Sequence, residues 1–228
     1  NVPGVLRRKK ESGLETFIQW LKEDGYVVHF EIHNTNDFGV PQNRRRFTLI
    51  ASRVGNQEVV PKICSDKLNV SDVIGEANGF PKVEAGHVDN SSFKHSVAKI
   101  TPKTLKRLKK IKKNGGDRLG FADDPELQLP CFVGKDNSFK DTFGRLWWDK
   151  PSPTITTKFF SVSNGRFVHP EENRALSLRE GATLQSFPKS FEFHGTSMEA
   201  IARQIGNAVP PECSWRTTPT IIETTKCL

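Results

Sequence analysis

The sequence predicts an α/β chain in which a short opening segment supplies the closing edge of a sheet and a longer, irregular region follows it. Three observations carry that expectation. A helical repeat and two strand-like runs stand together before residue 55. From about residue 55 to 144 the regular patterns fade, and Gly, Pro, Asn and Asp become frequent. Beyond that, two capped helical segments return near the end.

The elements follow in chain order. Ser12-Gly13-Leu14-Glu15 has the form of a capping box, a Ser cap with Glu three residues on. Leu14, Phe17, Ile18 and Leu21 come next at helical spacing, and Gly25 is the expected stop. Residues 26–32 and 46–51 are rich in β-branched and aromatic side chains and are expected as strands. In the middle region one helix stands out. Thr101-Pro102 opens it, because proline fits a first helical position whose N–H has no partner anyway. Leu105, Leu108 and Ile111 give it a narrow apolar stripe, and Asn114-Gly115-Gly116 is expected to end it. Ser177-Leu178-Arg179-Glu180 is a second capping box, and its helix must close before Pro188. Ser197 caps another helix, with Ile201 and Ile205 on one side and Gly206 at its end.

The net charge of +8 is local. Residues 99–118 hold nine Lys or Arg and a single acid, Asp117, which alone makes +8; the other basic and acidic residues cancel. Such a block is the footprint of a polyanion binder, although a solvated helix face reads the same way from charge alone. No run approaches the ~20 apolar residues a membrane span needs. The four cysteines, Cys64, Cys131, Cys213 and Cys227, form no C-x-x-C pair, and no metal-ligand spacing of the histidines stands out. No metal is expected, and a reduced, cytoplasmic or DNA-associated setting is. The sequence opens at Asn1-Val2-Pro3-Gly4 without a start methionine, as a cut chain would.

Three strings carry chemistry. Phe38-Gly39-Val40-Pro41-Gln42-Asn43-Arg44-Arg45-Arg46 stands at the mouth of the second strand. If that strand begins near Arg44, then Arg44 and Arg46 share a face. Two adjacent guanidiniums repel unless an anion or a set of acceptors lies between them, which suits phosphate oxygens or a pyrimidine carbonyl. An exposed basic strand end is the plainer alternative. In Arg145-Leu146-Trp147-Trp148-Asp149-Lys150-Pro151-Ser152-Pro153-Thr154-Ile155-Thr156, the prolines stiffen an extended entry. Thr154 and Thr156 then face one side, for phosphate contacts or for simple strand packing. In Gly206-Asn207-Ala208-Val209-Pro210, Gly206 permits a positive φ and Asn207 can turn its amide to a ligand or to the backbone.

Taken in this order, the strings resemble the late blocks of the DNA cytosine-5 methyltransferases. Gln42-x-Arg44-x-Arg46 matches the family's Q-x-R-x-R block, with Gly39-Val40-Pro41 as its lead-in. Arg145 and residues 151–156 look like the block that props up the target-recognition domain, and residues 179–188 are similar to its R-E-x-A-x-L-Q-x-F-P helix. Residues 206–210 match G-N-x-V-P, and Asn1-Val2 resembles the end of the family's E-N-V block, just past its catalytic Glu. The variable stretch, about 55 to 144, is where the family keeps its sequence-reading region.

The resemblance implies the edge of a doubly wound S-adenosylmethionine-dependent methyltransferase sheet plus a small irregular target-recognition domain. Residues 1–54 would end the catalytic α/β domain, 55–176 would read DNA, and 177–228 would return to pack on the catalytic part. The family attacks carbon 6 of a flipped cytosine with a Cys thiolate and transfers methyl from S-adenosyl-L-methionine to carbon 5, because those ring atoms are shielded inside the duplex. Carried over residue by residue, Arg46 would contact the cytosine carbonyl and Arg44 would support that site and a nearby phosphate. Asn207 and Ala208 would lie against the cofactor. Arg145, Thr154, Lys106, Lys109, Lys110 and Lys113 would meet double-stranded DNA or brace the domain that does. The family's glycine-rich first loop, its Pro-Cys-Gln nucleophile block and its catalytic Glu have no counterpart here; Pro130-Cys131-Phe132 lies on the wrong side of Gln42 to serve. The expected partner is therefore the amino-terminal half of the enzyme, in the same chain or as a separate subunit, and the chain alone is expected to be inactive. A non-catalytic DNA-binding module is the competing class.

Overall fold

The protein is seen in a computed structural model that describes residues 3–7 and 11–216. Asn1, Val2 and Cys227 lie outside the described residues. A single turn, α1 (Gly4–Arg7), precedes α2 (Leu14–Glu23). The capping box expected at Ser12 does not form. Gly13, at a left-handed φ of 67°, is the residue before the helix and no side chain caps it. Ser12 instead directs its hydroxyl to the Val5 carbonyl. Leu14 and Leu21 are buried, and Gly25, at φ 81°, turns the chain out of the helix.

Strands β1 (Val27–Asn34) and β3 (Arg45–Ser52) pair antiparallel, from Val27 opposite Ser52 to Asn34 opposite Arg45. The intervening β2 (Gln42–Asn43) pairs in parallel with β4 (Ser152–Pro153). Among the described residues these are two separate two-stranded sheets. Both strands of the antiparallel pair are expected from their β-branched and aromatic content; the parallel pair joins segments far apart in sequence, and no local pattern encodes that.

Helix α3 (Pro102–Lys110) begins as expected, with the Thr101 hydroxyl accepting the Thr104 amide at 3.2 Å. It ends earlier than the Asn-Gly-Gly signal suggests, at Lys110, with Ile111 already extended. Those glycines serve packing instead. A Cβ on Gly116 would stand 2.2 Å from the Lys112 carbonyl oxygen, and one on Gly115 1.8 Å from the Trp147 ring. Helix α4 (Leu178–Leu184) has the full reciprocal capping box: Glu180 N–H donates to Ser177 Oγ at 3.0 Å and Ser177 N–H to the Glu180 carboxylate at 2.7 Å. Helix α5 (Met198–Asn207) is capped by Ser197.

Among the described residues two apolar cores hold the chain. One joins Val70, Ile74 and Phe80 to Ile155, Phe159 and the buried faces of α4 and α5. The other, around Leu108, Phe121, Phe143 and Val168, belongs to the middle region. Arg118, Arg145, Arg174 and Arg179 are among the largest fully buried side chains. A buried guanidinium is tolerated only where acceptors surround it; Arg145, Arg174 and Arg179 have them, while Arg118 has acceptors at one nitrogen and leaves its Nε and Nη1 without a partner. Arg174, for example, meets both Glu180 oxygens at 2.7 and 2.8 Å and both Glu172 oxygens at 2.9 and 3.1 Å. No helix among the described residues is long and apolar enough to cross a membrane.

Candidate active site

The strings singled out in the sequence converge on one place. Gln42 is fully buried; its Oε1 accepts the Ile155 amide at 2.9 Å and its Nε2 donates to Gln185 Oε1 and the Leu184 carbonyl. The side chain thus fastens the extended segment after β4 to the end of α4. Gln185 continues the chain of contacts, donating to the carbonyls of Ile205 at 2.8 Å and Ala208 at 3.1 Å. Thr154 donates to the Asn43 carbonyl at 2.9 Å, so its hydroxyl serves the β2–β4 junction.

Arg44 sits at the centre of this junction. Its guanidinium donates to the Ile155 carbonyl at 2.9 Å, to Gly206 at 2.9 Å and to Ala208 at 3.4 Å. Its backbone is pinned as well, with its N–H on Asn34 Oδ1 and its carbonyl accepting the Thr35 amide. Burial, helped by the charge of Arg46, lowers its pKa to about 10, which leaves it cationic at neutral pH. The expectation that Arg44 and Arg46 share one face of a strand is corrected here. Arg44 precedes β3, points into the closing turn and has its donors committed to carbonyls. Arg46, half-buried, makes one hydrogen bond, to the neighbouring Arg45 carbonyl at 2.8 Å. Of the pair, it keeps donors for a ligand.

Gly206 also departs from expectation. It lies inside α5 and not at a positive φ. A Cβ there would stand 2.5 Å from the Thr156 carbon and the Thr157 nitrogen, so the residue is small because another backbone crosses it. Asn207 is exposed, and Ala208 is half-buried with its carbonyl taken by Arg44 and Gln185.

Arg145 does not reach a surface. It is fully buried, and it donates to the carbonyls of Leu108, His169 and Glu172 at 2.7–3.0 Å and to Asn173 Oδ1 at 2.6 Å. It braces the end of α3 against the 169–173 loop, which rules out a direct DNA contact by that side chain. Burial lowers its pKa to about 10. Of the four lysines singled out in the basic block, Lys106 and Lys109 are exposed. Lys110 pairs with Asp124 at 2.6 Å, and Lys113 reaches the Glu171 carbonyl and Asn173 Oδ1.

Gln185 stands in the 179–188 string, but its role rests on partners in β2 and around the end of α5 that no local pattern places beside it. Sequence reading passed over His29, Glu31 and His33, which bring one ligand atom each to within 4.8 Å of one another. The signal was their alternation along a strand, where every second side chain shares a face.

Arg44 is thus locked into the closing turn, and Arg46, with donors to spare, stands beside it on the β1–β3 pair. The chain belongs to the C-5 cytosine-specific DNA methylases, whose family model matches residues 1–223. It is 36% identical over 217 residues to the Type II methylase M.HgiDII of Herpetosiphon aurantiacus, a match over 92% of this chain and 59% of that protein. It is 37% identical over 188 residues to the Type II methyltransferase M1.HphI of Haemophilus parahaemolyticus, over 82% of this chain and 45% of that one. The chain therefore spans about half the length of the curated relatives it matches. Among solved structures, a DNA modification methyltransferase encoded within an E. coli prophage superposes with a TM-score of 0.70 at 18% identity, covering 99% of this chain and 68% of that one. The S. pombe Dnmt2 methyltransferase gives 0.52 at 16% identity, covering 99% of this chain and 64% of that one. These two likenesses speak to the fold alone.

Proposed function

We propose that the chain is the DNA-reading, base-holding part of a DNA cytosine-5 methyltransferase. One observation carries the reading: Arg44 draws the Gln42 turn, the segment after β4 and the end of α5 onto a single guanidinium, leaving Arg46 at the edge of that junction. Arg46 would donate to the carbonyl of an extruded cytosine, where negative charge grows as a thiolate adds to the ring; fixed donors there stabilise the transition state. Arg44 would hold the closing turn in place. S-adenosyl-L-methionine supplies the methyl group in this chemistry. The exposed Asn207 amide and the half-buried Ala208 fit one edge of such a ligand and do not enclose it.

The nucleophile, the cofactor loop and the rest of a doubly wound sheet would come from an amino-terminal part, in one chain or as a partner subunit. Residues 55–176 would face double-stranded DNA, with Lys106 and Lys109 on phosphates. The separate core of the middle region supports that role, and the core shared with α4 and α5 supports its seating on the return segment 177–228. The test is to mix the chain with S-adenosyl-L-methionine and DNA, with and without a polypeptide carrying the early blocks, and to map products by bisulfite sequencing. Methylation at carbon 5 only in the mixture is the expected result; methylation by this chain alone would refute the division of labour.

The exposed Lys106 and Lys109 on α3 favour a second reading, a DNA-binding module without chemistry. Such a module would bind with a steep salt dependence but without preference for a mismatched or abasic position. A base-holding site prefers such positions, because extrusion costs less there.

A further inference from the structure

His29, Glu31 and His33 alternate along β1, so the pleat turns all three to one face of the hairpin. One ligand atom from each lies within 4.8 Å of the others. The Nε2 atoms of both histidines are buried and without a hydrogen-bond partner. On the other side of its ring, His29 Nδ1 is 3.0 Å from Glu58 Oε2. A carboxylate at Nδ1 holds the proton there and leaves Nε2 as a lone pair aimed away, the arrangement that supports metal-bound imidazoles. Glu31 lies 3.8 Å from that Nε2 with its side chain 58% exposed, so it has room to close on an ion.

We propose that His29 Nε2, the Glu31 carboxylate and His33 Nε2 form a site for a zinc-class transition-metal ion, with Glu58 as its positioning residue. The inference stands apart from the function proposed above. Two imidazoles and one carboxylate suit Zn2+ and its neighbours and not Mg2+ or Ca2+, which take all-oxygen sets. Three protein ligands leave a fourth position for water. Charge around the site is mixed: Glu31 and Asp37 act on His33 and Glu58 on His29, while Arg46 is the cross-strand partner of His33 and opposes a cation. The competing account is a proton in place of the metal, with a charged His29 bridging Glu31 and Glu58.

The test uses metal-stripped protein titrated with Zn2+ in a non-chelating buffer, and with Mg2+ as the control. One saturable Zn2+ site, no Mg2+ binding at comparable concentration, and an affinity loss of at least ~10-fold in H29N and in H33N are expected, with a loss of about 10-fold in E58Q. The unsubstituted protein loaded with Co2+ is expected to show the intense visible bands of a four- or five-coordinate ion, and E58Q to shift them. No saturable Zn2+ binding, Zn2+ affinity unchanged in H29N and H33N, or the pale spectrum of fully hydrated Co2+ would overturn the proposal.

Discussion

Arg44 and Arg46 lie two residues apart and have different work. Arg44 bonds three carbonyls from two segments, which a planar, multi-donor fork can do and a single ammonium cannot. R44K is therefore expected to lower stability by roughly 2 kcal/mol, the loss of charge-assisted bonds to buried acceptors. Urea unfolding measures it, and an unchanged midpoint would contradict the role given to Arg44. R46A removes one local bond from a half-buried side chain, so its unfolding should differ from that of the parent by less than ~1 kcal/mol. The Gln42-x-Arg44-x-Arg46 string is legible in the sequence, and its resemblance gives the two arginines different roles, but the carbonyls that take up the Arg44 donors are not legible. Which way a strand-end side chain points depends on where the strand begins, and β3 begins one residue after Arg44. Arg145 shows the same limit: its acceptors come from the end of α3 and from the 169–173 loop, which no local pattern brings together.

Among the elements, the hairpin of β1 and β3 and the capped helices α3, α4 and α5 were legible because their signals are local: alternation, a hydroxyl cap, a proline at the first turn. Ser12 shows where such a signal fails. The left-handed turn at Gly13 carries the serine away from the first-turn amides. The sequence suggests a helix end with a positive φ at Gly206, which is instead a crossing point between α5 and residues 156–157. A methyl group there meets backbone, which no rotamer change relieves. G206A should cost about 1–3 kcal/mol, as overpacking does. It should also slow methyl transfer in an enzyme carrying this segment, since the closing turn shifts. A melting temperature equal to the parent's would remove the crossing as the reason for the glycine. At α4, S177A loses the cap on the Glu180 amide and should cost ~1 kcal/mol in the same measurement.

The whole molecule carries an uncommon load of buried charge, and its response to pH follows from it. Burial lowers the His169 pKa to about 4, although Glu180 and Glu172 pull the other way. Geometry gives the same sense: His169 Nδ1 faces the amides of Glu171 and Glu172 at 3.3 and 3.0 Å, where a second ring proton would meet donors. An unfolded histidine takes up its proton near pH 6.5 and the folded one does not, so stability falls as pH drops from about 6.5 towards 4. Burial would raise the Glu180 pKa, but Arg174 at 2.7 Å outweighs it and holds the carboxyl well below its usual range. Its contribution persists above the unfolded value and is lost only in stronger acid. Denaturant unfolding should thus show a loss of roughly 2 kcal/mol between pH 7 and 4.5, much reduced in H169N. A loss of equal size in H169N would assign it to other groups.

In the proposed function Arg46, and not Arg44 or Arg145, faces the reacting base. Single-turnover methyl transfer by the full enzyme carrying R46A, at saturating DNA, tests it most directly. The expected rate is lower by ~10²-fold or more, as for loss of one transition-state donor, with DNA affinity and melting temperature close to the parent's. Methyl transfer by R46A at the parent rate would contradict it.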